Sequence, residues 1–202
     1  MFPEERAVII FIKNPEKGKV KTRLAKEMGE EKALEIYIRL LRMTIKNTSG
    51  VRNAHLQAWY SDFADPDDFI DPSLFKKRVQ CGGGLGERMR NAFKTVFEEG
   101  YTKAVIIGSD CPYLTSVLIE NAFTALEKHT LVVGPALDGG YYLLGMKQLH
   151  EELFRDMPWS TRGVLKATLK RAERSGYSVA LLPELGDIDT KEDLERWGGY
   201  AE

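Results

Sequence analysis

Short apolar runs alternate along the chain with longer segments of helical period. Runs of strand length, rich in β-branched and aromatic residues, lie at 6–12, 54–60, 76–81, 103–109, 130–136, 140–146 and 177–183. Longer segments with helical spacing of their apolar residues lie at 30–47, 85–100, 116–129 and 162–176. This alternation predicts an α/β fold of three layers, α/β/α, with a mostly parallel sheet covered by helices on both faces.

Two local patterns refine this prediction. The run 140–146 follows the run 130–136 after only the turn "LDGG", so one strand is expected to be antiparallel in the otherwise parallel sheet. In the helix expected over 30–47, one buried stripe is predicted, formed by Leu34, Tyr37, Ile38, Leu41 and Ile45.

Composition narrows the class of protein. A chain of 202 residues is predicted to form one domain over residues 1–202. Its 29 basic and 30 acidic residues nearly cancel, which argues against a nucleic-acid or membrane-surface partner recruited by bulk charge. No apolar run approaches the roughly 20 residues that span a bilayer, and the start "MFPEERAVIIFI" is unlike a signal peptide, so a cytoplasmic protein is expected.

The segment "FIKNPEKGKVKTRL" (11–24) follows the first predicted strand and is basic. Ligands of α/β sheets bind beyond the carboxyl ends of strands, so this segment is a candidate phosphate-binding loop. Lys21 and Arg23 are the preferred contacts because they open the next element, and a solvated basic loop is the alternative. A P-loop is excluded, since the pattern GxxxxGK[ST] is absent. The basic residues lie around Gly18 and are Lys13, Lys17, Lys19, Lys21 and Arg23.

Carboxylates follow two later strands. In "IIGSDCPYL" (106–114), Asp110 comes directly after an apolar run, where it could hold a divalent cation or shape a turn. A second ligand is available in "LGDIDTKEDL" (185–194), which contains Asp187 and Asp189. Asp189 has an alternative role as the N-cap of a helix beginning near Lys191.

The segment "GPALDGGYYLLG" (134–145) also has two interpretations. Asp138, Gly139 and Gly140 are typical turn residues, yet the glycines would let a substrate approach the backbone closely. Tyr141 and Tyr142 are expected to face opposite sides of the sheet.

Cys111 is a candidate nucleophile next to Asp110. A nucleophilic thiol needs a base, and none of His55, His129 and His150 adjoins a recognisable catalytic motif. A structural role for the thiol is therefore favoured.

Taken together, "FIKNPEKGKVKTRL", "GLGERM", "IGSDCPYL", "GPALDGGYYLLG", "PWST" and "DIDTKEDL" resemble, in order and spacing, a family of uncharacterised bacterial proteins with the GT-A nucleotide-diphospho-sugar transferase fold. Its members are described as glycosyltransferase-like or cofactor-guanylyltransferase-like. The resemblance runs from residue 7 to about residue 197. Relatives usually have GDLGERM where this chain has "GGGLGERM", so Gly84 stands in place of an aspartate.

The resemblance implies a role for each motif. The first loop would bind nucleotide phosphates through Lys13, Lys21 and Arg23, with Gly18 shaping it. Asp110 would carry Mg²⁺ or Mn²⁺ together with Asp189 or its neighbour Asp187. The remaining nucleotide and acceptor contacts would come from Gly84, Leu85, Glu87, Arg88, Asp138, Gly139, Gly140 and Tyr141.

Three functions remain open at this point. The preferred hypothesis is metal-dependent nucleotidyl transfer from a nucleoside triphosphate to a phosphorylated acceptor, which needs little side-chain base because the acceptor phosphate is already ionised. Lys21, Arg23, Asp110 and Asp138 are the candidate catalytic residues. A glycosyltransferase that uses a nucleoside-diphosphate sugar is the alternative, with Asp138 as the candidate base. A non-catalytic nucleotide-binding module is the third.

Overall fold

The computed structural model describes residues 5–198, which form a seven-stranded sheet and six α-helices. The strands are β1 (Arg6–Ile12), β2 (His55–Tyr60), β3 (Phe75–Val79), β4 (Lys103–Ile107), β5 (Leu131–Pro135), β6 (Tyr141–Met146) and β7 (Val179–Leu181). The helices are α1 (Thr22–Met28), α2 (Glu30–Ser49), α3 (Leu85–Glu98), α4 (Ser116–Lys128), α5 (Val164–Arg174) and α6 (Lys191–Trp197), with a 3-10 helix at Glu151–Leu153. None of these helices is long and apolar enough to cross a membrane.

The sheet has the strand order β3-β2-β1-β4-β6-β5-β7. Every neighbouring pair is parallel except the two made by β6, which runs antiparallel to both β4 and β5. The predicted mostly parallel sheet with one antiparallel strand is thus confirmed. Because β6 is reversed, its first residue lies at the edge where the parallel strands end.

The two faces of the sheet are both covered, as the alternation of strands and helices predicts. Along β1, Val8, Ile10 and Ile12 join a core cluster with α2 and α4, whereas Ala7 and Ile9 join a second cluster with α3 and α5. Successive residues of a strand point to opposite faces, so an almost wholly apolar strand needs a helical layer on each side.

A third apolar cluster lies at the edge of the sheet where the parallel strands end. It joins α1, α2 and α6 to the segment after β7, and its buried members are Leu24, Ala33, Ile36, Leu40, Ile188 and Leu194. Consequently α2 buries more than the predicted stripe: Tyr37, Leu41 and Ile45 face the sheet, while Ile36 and Leu40 face α1 and α6. Leu34 and Ile38 are only partly buried.

Helix α1 is absent from the sequence-based prediction. It has seven residues and follows a basic loop, so it shows too little periodicity to be detected, and tertiary contacts stabilise it instead. The edge strand β7 is also shorter than expected, spanning residues 179–181 instead of 177–183.

The hairpin of β5 and β6 contains a close ring-to-backbone contact. The Tyr142 ring lies over Gly134, so that a Cβ built on Gly134 would be 2.3 Å from the ring carbon Cζ. The Tyr142 hydroxyl donates a hydrogen bond to the carbonyl oxygen of Pro183, 2.9 Å away. A residue without a side chain is therefore needed at position 134 for this ring to reach the segment after β7.

We expect Gly134→Ala to lower the free energy of unfolding by about 2 kcal/mol, because the added methyl group must displace a buried ring in a close-packed core. The measurement is urea denaturation followed by circular dichroism. Gly83→Ala is the matched control and should change stability by less than about 0.5 kcal/mol, since a Cβ there makes only ordinary contact with Glu87. Equal stability of the two variants would contradict close packing of the Tyr142 ring on Gly134.

Candidate active site

Four loops meet at the edge of the sheet where the parallel strands end. Lys21 lies in the connection from β1 to α1, and Asp110 lies three residues after β4. Asp138 lies in the turn between β5 and β6, and Asp187 and Asp189 lie between β7 and α6. The structure thus gathers at one edge the loops in which the sequence predicts phosphate-binding and metal-binding residues.

A buried ammonium group joins two of these carboxylates. Lys21 Nζ lies 2.8 Å from Asp110 Oδ2 and 2.8 Å from Asp189 Oδ1, and its side chain is only 3% exposed. Burial disfavours the charge on Lys21, but the two carboxylates outweigh that penalty and hold its pKa above the usual lysine value. Burial likewise disfavours ionised Asp110, yet Lys21 keeps the pKa of Asp110 below its usual value.

The pKa of Asp187 is shifted in the opposite direction, above its usual value. Its Oδ1 atom is buried and makes no hydrogen bond to any residue that the structure describes. Burial, followed by repulsion from Asp110, raises the pKa of Asp187 to about 8. An unpartnered buried oxygen in a cluster of acids is a site that a cation would stabilise.

The segment around Asp189 resolves the capping alternative. Helix α6 begins at Lys191, as predicted, but Thr190 is its N-cap: the Thr190 hydroxyl accepts the Asp193 N–H, and Asp193 accepts the Thr190 N–H in return. Asp189 is therefore free of the capping role and pairs with Lys21. Between the two acids, Ile188 is 1% exposed and inserts into the third apolar cluster, which fixes the loop.

The other predicted phosphate contacts lie around this centre. Arg23 is 71% exposed and its Nη1 lies 3.9 Å from Asp189 Oδ2, so its guanidinium is accessible to a ligand. Lys13 is exposed at the start of the loop. Gly18 has a φ of +78°, a left-handed conformation that favours glycine and lets the loop turn back.

Tyr37 and Ser109 contribute to the site and were not predicted to do so. The Tyr37 hydroxyl accepts the Lys13 N–H at 2.9 Å, donates to the Lys13 carbonyl oxygen at 2.8 Å and lies 3.1 Å from Ser109 Oγ. Tyr37 thereby ties the start of the basic loop to the residue before Asp110. The sequence shows Tyr37 only as one apolar position of a helical stripe, and no motif marks its hydroxyl.

The segment "GGGLGERM" forms the start of α3. Gly84 is the N-cap with extended backbone and no side-chain cap, and Leu85 is 45% exposed. Glu87 Oε2 accepts the Gly83 N–H at 2.8 Å, and Arg88 donates to the carbonyl oxygens of Gly82 and Ser61. Glu87 and Arg88 therefore shape the glycine loop, and their role as ligand contacts stays a prediction.

The turn between β5 and β6 is rigidly supported. Asp138 Oδ1 accepts the Gly140 N–H at 2.8 Å, which is the turn role that the sequence left open, and Asp138 remains exposed. Gly139 has a φ of +87°, and a Cβ built there would lie 2.3 Å from the Arg162 carbonyl oxygen. A ligand that approaches this turn meets the Asp138 carboxylate, backbone and the exposed Leu137 side chain.

The segment "PWST" (158–161), for which the sequence predicts no specific role, positions two motifs at once. Its Trp159 ring covers Gly86 so closely that a Cβ there would lie 2.1 Å from Trp159 Nε1. Arg162, just after it, packs its backbone on Gly139. Residues 159–162 therefore hold the start of α3 and the Asp138 turn in fixed positions.

The two tyrosines and the thiol of the central motifs are packed. Tyr141 and Tyr142 lie on opposite faces of the sheet, as predicted, and Tyr141 packs against the α3 side with its hydroxyl 4.0 Å from Met89 Sδ. Cys111 is 2% exposed, and burial raises the pKa of its thiol to about 12. A neutral, buried thiol supports the structural role favoured from the sequence.

Two exposed apolar side chains border the acidic cluster and were also not predicted. Tyr113 is 42% exposed and Leu137 is 62% exposed. A Cβ built on Gly186 would lie 3.3 Å from Leu137 Cδ1 and 4.0 Å from Tyr113 Cε2, so both side chains lie beside the residue that precedes Asp187.

The carboxylates fit a divalent cation that also binds substrate oxygens. Within residues 5–198 no group of three histidine, cysteine, aspartate or glutamate side chains is arranged to hold a metal ion by itself. Mg²⁺ commonly takes only one or two carboxylates and completes its shell with water and phosphate oxygens. Asp110 and the unpartnered oxygen of Asp187 satisfy that smaller requirement.

The fold is that of the GT-A nucleotide-diphospho-sugar transferases. A structure from Desulfovibrio desulfuricans G20, described as a "putative nucleotide-diphospho-sugar transferase", has 31% identity and a TM-score of 0.89, with 98% of this chain and 90% of that chain covered. The 4-diphosphocytidyl-2C-methyl-D-erythritol synthase from Anaerococcus prevotii DSM 20548 shares the fold at 12% identity and a TM-score of 0.63, over 98% and 96% of the two chains.

Glucosyl-3-phosphoglycerate synthase from Mycobacterium tuberculosis, solved with Mn²⁺, UDP and glucosyl-3-phosphoglycerate, also has this fold. It is 13% identical with a TM-score of 0.58, and the alignment covers 97% of this chain and 75% of that chain. The family described as "Uncharacterized protein conserved in bacteria (DUF2064)" matches residues 44–161, more than half of the chain. The chain belongs to this family. None of the curated proteins compared with it matches.

Asp187 should make stability depend on pH. A carboxyl group whose pKa is raised to about 8 on folding stabilises the native state below its unfolded pKa, and this contribution is lost as pH rises through 8. Without added metal, Asp187→Asn should become more stable relative to the parent chain as the pH rises. We expect the difference between their free energies of unfolding to increase by about 1 kcal/mol per pH unit between pH 5 and 8.

Urea denaturation across that pH range, in buffer containing a chelator, measures this difference. Asp67→Asn, which makes the same change of side chain at an exposed position, is the matched control. A difference between Asp187→Asn and the parent chain that stays constant with pH would mean that Asp187 is not held in its neutral form.

Proposed function

We propose that this chain is a nucleotide-using transferase whose preferred reaction is metal-dependent nucleotidyl transfer from a nucleoside triphosphate to a phosphorylated acceptor. The observation that carries the proposal is the cluster of Lys21, Asp110, Asp187 and Asp189 at the end of the sheet. Basic side chains and carboxylates that lie beyond the carboxyl ends of strands are suited to bind a nucleoside triphosphate together with its divalent cation. In this proposal residues 1–202 act as one domain.

Asp110, with Asp187 or Asp189, would hold Mg²⁺ or Mn²⁺, which when bound would stabilise negative charge on the phosphates. The fit of the carboxylates and the Mn²⁺ and UDP in the mycobacterial synthase that shares the fold support this assignment. Asp187 offers a buried oxygen without a hydrogen bond, whereas Asp189 would bind the cation only after its ion pair with Lys21 is broken.

The chain's own cations would bind and orient the triphosphate. Arg23 and Lys13 are exposed on the side of the site that faces β1, where they would contact the phosphate oxygens. Their fixed positive charge would offset the charge that develops on the leaving pyrophosphate. Tyr37 would keep Lys13 in position through its hydrogen bonds to the Lys13 backbone.

The acceptor would lie on the opposite side of the site. Asp138, Gly139 and Gly140 form a firmly supported turn there, and its exposed carboxylate would orient the acceptor. An acceptor phosphate is ionised at neutral pH, so it can attack the α-phosphorus without a side-chain base. The histidines agree with this chemistry: His55 pairs with Tyr101, His129 ends α4 and His150 packs on Tyr177, all away from the acidic cluster.

Glycosyl transfer from a nucleoside-diphosphate sugar is the second candidate. It is favoured by the description of the similar structure from Desulfovibrio desulfuricans G20, which names a nucleotide-diphospho-sugar transferase. In this reaction Asp138 would serve as the base near the reacting sugar carbon. The phosphate contacts would stay the same, because both donors carry a diphosphate group.

Product analysis separates the two reactions. With nucleoside triphosphates, Mg²⁺ and a panel of sugar phosphates, we expect release of pyrophosphate in step with formation of the nucleotide-linked product, measured by a coupled phosphate assay. Heat-inactivated protein is the blank. Formation of a free nucleoside diphosphate from a nucleotide sugar, without pyrophosphate release from any triphosphate, would replace nucleotidyl transfer by glycosyl transfer.

Nucleotide binding itself should depend on metal and on Asp110. In a thermal-shift panel of nucleotides and nucleotide sugars, we expect at least one ligand to raise the melting temperature only when Mg²⁺ or Mn²⁺ is present, since a ligand that binds the native state stabilises it. Asp110→Asn should abolish that shift. Cys111→Ala, which changes the next residue, should retain it within about 2 °C.

Circular dichroism should first show that both variants are folded. A panel in which no nucleotide changes the melting temperature of the parent chain would favour the non-catalytic module over a transferase. A ligand-induced rise in melting temperature that persists in Asp110→Asn but disappears in Cys111→Ala would mean that the ligand binds at the thiol and not at the carboxylate.

A further inference from the structure

Lys21 occupies the position between Asp110 and Asp189 that a cation bound to both of these carboxylates would need. Its Nζ lies 2.8 Å from one oxygen of each residue, and its side chain is 3% exposed. An ammonium group held in this way already neutralises part of the carboxylate charge. A second cation placed between the same two carboxylates would meet a like charge at short range, where repulsion is strong.

The backbone of Lys21 is held in an uncommon conformation. Its φ and ψ are both 46°, in the left-handed region, at the N-cap of α1. Side chains other than glycine, asparagine and aspartate pay for this conformation, so the surrounding contacts must stabilise it. The contacts that hold it are the two ion pairs of the ammonium group and the hydrogen bond that the Lys21 carbonyl oxygen accepts from the Ala25 N–H, 2.8 Å long.

Lys21 lies at the boundary between the buried and the exposed part of its loop. The residues on either side of it, Val20 and Thr22, differ sharply in burial: Val20 is 1% exposed, and Thr22 and Arg23 are exposed. Arg23, whose Nη1 lies 3.9 Å from Asp189 Oδ2, and Lys13 are exposed beside the acidic cluster, so an ammonium group released from the two carboxylates would lie near them. This is the side on which the proposed function puts the nucleotide phosphates.

We propose that Lys21 is an exchangeable counter-ion: it neutralises Asp110 and Asp189 before a divalent cation binds, and it is displaced toward the nucleotide phosphates when the cation takes its place. This inference rests on the proposed function for its ligand and adds a second role for Lys21. Lys21 then has opposite effects on two ligands. It weakens the binding of metal alone and strengthens the binding of nucleotide with metal.

The test measures metal binding without nucleotide and without activity. The parent chain, Lys21→Met and Lys19→Met are titrated with Mn²⁺, and the free ion is followed by electron paramagnetic resonance. Lys21→Met should bind Mn²⁺ about tenfold or more tightly than the parent chain, because two carboxylates lose their internal counter-ion. Lys19→Met should bind like the parent chain, since Lys19 is 64% exposed and pairs with Glu16.

A second measurement uses the unaltered protein. Lys21 should react slowly with acetic anhydride when metal is absent, because its ammonium is buried, and at least several times faster when Mn²⁺ is saturating, as followed by mass spectrometry. Lys19 provides the internal reference rate. This measurement decides the question if Lys21→Met fails to fold: acceleration supports exchange, and an unchanged rate overturns it.

Exchange is also overturned if folded Lys21→Met binds Mn²⁺ no more tightly than the parent chain. The two proposals fail in different ways. If no nucleotide binds in the thermal-shift panel while Lys21→Met gains Mn²⁺ affinity, the proposed transferase function fails and exchange stands. If nucleotide binding depends on metal while Mn²⁺ affinity does not respond to Lys21→Met, exchange fails and the transferase function stands.

Discussion

The need to pair one buried ammonium group governs the site of this protein. Lys21 belongs to the connection after β1, Asp110 follows β4 and Asp189 follows β7, so their ion pairs join three distant parts of the chain. A buried charge that loses its partners is strongly destabilising. The three loops are therefore coupled, and the apolar insertion of Ile188 holds the last of them where its two flanking acids reach the centre.

Much of the fold follows from local pattern. Apolar runs of strand length separated by periodic segments predict the layers, and the turn "LDGG" predicts the reversal of β6. The pairing of β6 with β4 does not follow, because strand order depends on contacts between distant segments. Helix α1 escapes prediction for the same reason: α2 and α6 supply the apolar surface that stabilises it.

The site is predictable in position and less so in detail. Asp110, Asp138, Asp187 and Asp189 are found by their location after strands. Sequence alone leaves Asp189 between cap and ligand, because an aspartate just before a helix suits either role, and the Thr190–Asp193 pair decides against the cap. Tyr37 is hidden because its ring satisfies the helical pattern while its hydroxyl reaches Lys13.

The contacts of residues 159–162 link motifs that lie far apart in the sequence. Trp159 fills the space above Gly86, and the Arg162 carbonyl fills the space above Gly139. Each glycine is thus complementary to a residue more than twenty positions away, and neither position tolerates independent change. The segments "GLGERM", "DGG" and "PWSTR" are therefore packed as one unit: a side chain at Gly86 requires a smaller residue at 159, and a side chain at Gly139 meets backbone that no change of side chain can move.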